Sequence, residues 1–159
     1  MTTFKRIIAL FILSVVCFGQ NYTTPIFVFY QESVLAAAAE VVTIRKPAGT
    51  SKTVRMKSAY IACSVACTFT IEVQGTWSAG TTITPTKTSS IYPASTMAVT
   101  YATTIASTTQ IFKYSLTAGQ DKTLDLSDMY LVATADAITI RTSSMTGTVQ
   151  IGGLYQEQN

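Results

Sequence analysis

A chain of 159 residues suits one domain and is long enough to bury a core without a framework of disulfides. It has no histidine, which excludes Ser-His-Asp and Cys-His catalysis and histidine-ligated metals. Eleven basic and eight acidic residues give a net charge of +3, but Lys5 and Arg6 lie within residues 1–19, so the remainder is close to neutral and charge gives no support to nucleic-acid binding.

The N-terminus reads as a secretory signal. Lys5 and Arg6 form the positive region, and Ile7 to Phe18 is an apolar run too short to span a membrane. Cleavage is expected near Gly19, with Cys17 at the −3 position, leaving residues 20–159 as one domain. The expected location is therefore extracellular or periplasmic, with no membrane span after cleavage. Asn21-Tyr22-Thr23 matches a glycosylation sequon at the start of that domain.

The rest of the chain reads as short strands between turns. Pro25 to Tyr30 is an aromatic strand, and Ser33 to Ala39 suggests a short helical turn or a tight connection. Glu40 to Lys46 is a strand ended by the turn Pro47-Ala48-Gly49. Lys52 to Cys63 resumes extended structure, with Val54, Met56, Ala59 and Ile61 as apolar positions.

Ser58 to Gly75 carries the clearest pattern. Ile61, Cys63, Val65, Cys67, Phe69, Ile71 and Val73 alternate with small or polar residues, the period of a half-buried strand. On one straight strand Cys63 and Cys67 would lie about 13 Å apart, whereas a disulfide needs Cα atoms within about 7 Å. An 18-residue strand is also long. The geometry therefore favours a turn at Ser64-Val65-Ala66, with a hairpin clamped by a Cys63–Cys67 disulfide in an oxidising compartment.

Gly75 to Ser95 is rich in threonine and serine and reads as a long loop with one short strand near Thr81 to Thr84. Further strands are expected at Met97 to Ala102, Gln110 to Thr117, Thr123 to Leu126, Ala137 to Thr142 and Thr148 to Tyr155. Ala118 to Asp121 and Ser143 to Gly147 are turns between them, and Gly152-Gly153 suggests a bulge. The expected fold is all-β: one antiparallel β-sandwich, jelly-roll-like, with about eight or nine short strands and little helix. Low charge, at 12%, and abundant β-branched threonine imply an uncharged, hydroxylated surface.

Few residues suggest a site. Trp77, the single tryptophan, sits in the polar loop and with Tyr92 can offer aromatic faces to a sugar. Arg45, Lys46, Lys52, Arg55 and Lys57 flank the Pro47-Ala48-Gly49 turn and would line one hairpin as a basic patch, or simply a solvated edge. Asp121, Asp125, Asp128 and Asp136 gather late in the chain, without the spacing of a calcium loop. No metal or other cofactor is expected, and no phosphate-binding glycine motif is present.

The strand-and-turn rhythm resembles small β-sandwich modules of surface proteins, phage or viral structural proteins and carbohydrate-binding modules. Such a likeness carries architecture and not activity. The expectation is a secreted, non-enzymatic protein with a structural, surface-assembly or adhesion role, whose partners are copies of itself or a cell-surface glycan. The alternatives are a carbohydrate-binding module using Trp77 and nearby tyrosines, and a phage- or virus-like structural component.

Overall fold

The computed structural model describes residues 24–158 apart from 75, 79, 107, 132, 134 and 135, and leaves out the side chain of Trp77. The expected signal segment and the sequon at Asn21 lie outside the described residues. Strands fill most of the chain, and the described residues contain no helix.

Eight strands form the framework: β1 (Ile26–Ala38), β2 (Val41–Arg45), β3 (Thr53–Cys63), β4 (Cys67–Val73), β10 (Thr109–Leu116), β11 (Asp121–Asp125), β13 (Ala137–Thr142) and β14 (Met145–Gln158). They pair from the outside in: β1 with β14, β2 with β13, β3 with β11 and β4 with β10. Lateral pairing of β14 with β3 and of β13 with β4 completes two antiparallel sheets. The front sheet runs β11-β3-β14-β1 and the back sheet β10-β4-β13-β2. This is the jelly-roll arrangement, a long hairpin folded over into two packed sheets. The expected eight or nine strands compare with fourteen among the described residues, of which these eight form the framework. Further short strands lie in the connections: β5 (Thr76–Trp77), β6 (Thr81–Ile83), β7 (Thr86–Lys87), β8 (Ala98–Tyr101), β9 (Ile105–Ala106) and β12 (Tyr130–Leu131).

The core follows from side-chain alternation. Phe27 and Phe29, Val42 and Ile44, Phe69 and Ile71, Ile138 and Ile140, and Val149 and Ile151 all turn into the space between the sheets. In β3 the inward set shifts from Val54 and Met56 to Ala59, Ile61 and Cys63. A bulge causes the shift, because Leu154 faces Ser58 while Tyr155 faces Met56, leaving Lys57 as the extra residue. The bulge expected at Gly152-Gly153 is thus on the neighbouring strand. Gly153 has a different reason: a Cβ there would stand 2.8 Å from the Phe29 ring and 2.5 Å from the Ser58 carbonyl oxygen.

Three expected local structures differ. Cys63 and Cys67 are joined, with Cα atoms 6.4 Å apart, but β3 and β4 do not form a hairpin. Both edges of each strand are already taken, β3 by β14 and β11 and β4 by β13 and β10, so the turn is a corner that carries the chain from the front sheet to the back. For the same reason β2 and β3 form no hairpin at Pro47-Ala48-Gly49. Ser33 to Ala39 is no helical turn. β1 continues through Ala38 because β14 extends alongside it, with an irregularity between Leu35 and Ala38 and a positive φ at Ala37.

Candidate binding surfaces

The two sheets present different outer faces. On the back sheet a single row of side chains crosses the strands, Glu72 beside Thr139, then Thr43, Thr100 and Thr82. An outward face of a sandwich is usually wet, yet Thr139, Thr43 and Glu72 are buried. The connection between β4 and β10 covers them. Its residues 102–106 run back across this face, where β5 and β9 pair as a small ribbon and Thr103 and Ile105 are buried.

Three glutamates fasten this connection to the sandwich. Glu40 Oε1 accepts the backbone N–H groups of Val41 and Ala102, both at 3.0 Å. Glu72 accepts Thr108 Oγ1 and Thr70 Oγ1 at 2.7 Å each, and pairs with Arg141 through Nε–Oε1 at 3.1 Å and Nη2–Oε2 at 3.1 Å. Glu157 accepts Ser95 Oγ at 2.5 Å, Thr96 Oγ1 at 2.8 Å and Thr96 N–H at 2.9 Å, and pairs with Lys52 at 3.2 Å. All three carboxylates are buried, and a buried charge persists only where donors compensate its lost hydration. Burial alone would raise the Glu72 pKa, but hydrogen bonds from Thr108, Thr70 and Arg141 and the arginine charge hold it below the usual carboxylate value. Beside Glu157, burial pushes the Tyr155 phenol well above its ordinary value, although its hydroxyl meets Ser95 Oγ at 2.5 Å. Only Glu72, inside the alternating Ser58 to Gly75 run, carries a signal in the sequence, since glutamate is disfavoured in strands.

The open side of the sandwich, where β10 and β11 end the two sheets, is a cleft of about 320 Å³. Ile111, Phe112, Leu124, Leu126 and Met129 line it, with Asp125 and Asp128 at the rim. Phe112 and Tyr114 stack with ring centroids 6.4 Å apart, and Lys122 lies 5.2 Å over the Tyr114 ring. Ile111 is 49% and Tyr114 40% exposed. The β10 edge is interrupted by a bulge at Ile111, which blocks simple continuation of the sheet and turns side chains outward.

The residues expected to form sites are scattered. Trp77 pairs through its backbone with Ile105 in the ribbon beside the back sheet, whereas Tyr92 follows β7 at the far edge of the front sheet. The basic residues share no face. Arg45 and the buried Lys46 end β2 in the back sheet, and burial lowers the Arg45 pKa. Lys52 is bound to Glu157, Arg55 donates to the Ser127 carbonyl at 2.7 Å and lies over the Tyr130 ring, and Lys57 occupies the β3 bulge. Asp125 accepts the Ser127 N–H at 2.9 Å, and this contact lowers its pKa. Among the described residues no three acidic or thiol groups are placed to hold a metal ion. No described helix is long and apolar enough to cross a membrane.

The fold and these surfaces define a jelly-roll domain in which a connection covers the outer face of the back sheet. No family model, no curated protein and no solved structure matches the chain.

Proposed function

We propose that this is a secreted, non-enzymatic jelly-roll protein with a structural or adhesion role, working by self-association through its open side. The observation that carries the reading is the cleft between β10 and β11, where Ile111 and the neighbouring Tyr114 of β10 stand exposed and Phe112 and Met129 are only partly buried. Exposed apolar surface rimmed by charge is characteristic of contact surfaces. The rim carries both signs, with Lys122 over the Tyr114 ring and Asp125 and Asp128 lining the cleft, which suits a second copy related by a two-fold axis. The Cys63–Cys67 disulfide is consistent with an oxidising compartment. A phage- or virus-like structural component is the same reading in another setting, since jelly rolls also build capsids.

Light scattering on a sizing column tests this. Wild type should run above monomer mass at high concentration, and Ile111→Asp with Tyr114→Lys should return it to monomer. A wild-type monomer at every concentration would remove the reading.

A further inference from the structure

The outer face of the front sheet has an unusual middle row. Tyr30 on β1, Gly152 on β14 and Tyr60 on β3 stand side by side in register. Tyr30 is 51% exposed, Tyr60 is half-buried, and the glycine between them is buried. The Tyr30 ring lies over Gly152, so beside Tyr60 it forms an aromatic platform across the strands. Any side chain at 152 would intrude: its Cβ would lie 3.4 Å from the Tyr30 ring and 3.0 Å from the Phe29 carbonyl oxygen.

The next row supplies oriented polar groups. Glu32 and Gln150 are register partners, and Gln150 Nε2 donates to Glu32 Oε2 at 2.7 Å. Tyr30 OH donates to the same oxygen at 3.1 Å. A carboxylate and a carboxamide are thus held edge to edge beside an aromatic wall. Asp121 closes this row across Ala62. The row holds two exposed carboxylates and no cation, so it disfavours anionic ligands such as sulfated glycans or phosphate backbones. An aromatic platform with paired acceptor and donor groups along one side matches the mixed apolar and hydroxyl surface of an uncharged sugar ring.

We propose that this face binds neutral polysaccharide, with Tyr30 and Tyr60 stacking on sugar rings and Glu32 and Gln150 bonding their hydroxyls. The site names a partner for the adhesion role proposed above. It stands apart from the β10–β11 cleft, so the mass measurement and the binding measurement can fail separately.

The test is affinity electrophoresis of the intact protein in gels holding a soluble β-glucan, xylan, galactomannan, dextran, heparin or polygalacturonate. At least one neutral polymer should retard the protein, and heparin and polygalacturonate should not. Tyr30→Ala and Tyr60→Ala should each weaken that retardation roughly tenfold, the loss typical of an aromatic anchor. Tyr30→Phe keeps the stacking face and should retain most binding, and Val34→Ala, further along the same strand, should change nothing. Circular dichroism melts of the variants separate lost binding from lost folding. Absence of retardation by every neutral polymer would overturn the proposal. So would undiminished retardation of a folded Tyr30→Ala/Tyr60→Ala double variant, or a preference for the anionic polymers.

Discussion

Replacing Glu157 with alanine should loosen the connection between β4 and β10 before it loosens the sandwich. The carboxylate is buried and receives four donors, from Ser95 Oγ, Thr96 Oγ1, Thr96 N–H and Lys52 Nζ. Hydrogen bonds to a charged group contribute about 1.5–3 kcal/mol each. The full sum does not apply, because the two hydroxyls can reorient and Lys52, at 22% side-chain exposure, can reach water. The Thr96 amide and the buried methylenes cannot be compensated as easily. The expected net loss is about 3 kcal/mol, near the lower bound for breaking a buried pair. Urea denaturation measures the loss, and hydrogen exchange locates it. The amides of Thr96 and Met97 should exchange faster by a larger factor than those of Phe69 or Ile140. Lys52→Ala should cost only about 0.5–1 kcal/mol. A Glu157→Ala loss under about 1 kcal/mol, or uniform acceleration of exchange across core and connection, would refute the reasoning.

Other consequences follow from the same contacts. Glu72 has a folded pKa below its ordinary value, so its stabilising effect is present above the ordinary glutamate range and is lost as pH falls through the depressed folded value. Wild type should therefore exceed Glu72→Gln in stability at neutral pH, and the two denaturation curves should converge in acid. A constant gap would contradict the assignment. The Cys63–Cys67 loop is short, with a sequence separation of 4, so replacing both cysteines with serine should cost about 2 kcal/mol from loop entropy. Non-reduced mass spectrometry should find neither thiol alkylatable. Gly153→Ala should cost about 1–3 kcal/mol by overpacking against Phe29, as read from thermal melts, whereas Gly119→Ala, with open space around it, should show only the milder penalty of its positive φ.

Period-2 alternation made the strands legible. Ile61 to Val73 and Ala137 to Thr142 read correctly because one face of each is apolar and buried. Corners were harder. The Ser64-Val65-Ala66 turn followed from strand length and cysteine spacing, but a turn joining two sheets and a turn within one look alike when pairing partners are distant in sequence. The step from Met56 to Ala59 in the apolar set was the mark of the β3 bulge, and Gly152-Gly153 drew attention to the wrong strand. Binding surfaces were least legible. Tyr30, Gly152 and Tyr60 come from three separate strands and meet only through register, so local spacing cannot reveal the aromatic row. Glu40, Glu72 and Glu157 likewise acquire Ala102, Thr108, Arg141, Ser95, Thr96 and Lys52 as donors from far along the chain. Trp77 drew attention for its rarity, and rarity says nothing about position.

Self-association through the open side is the claim on which the functional account rests, and molar mass measured by light scattering at increasing protein concentration tests it most directly. The account predicts a mass above monomer that falls to monomer in the Ile111→Asp/Tyr114→Lys variant and declines with added salt as the Lys122 and aspartate contacts are screened. A single monomer mass for wild type across the full concentration range, or an oligomer unchanged by that substitution, would contradict it.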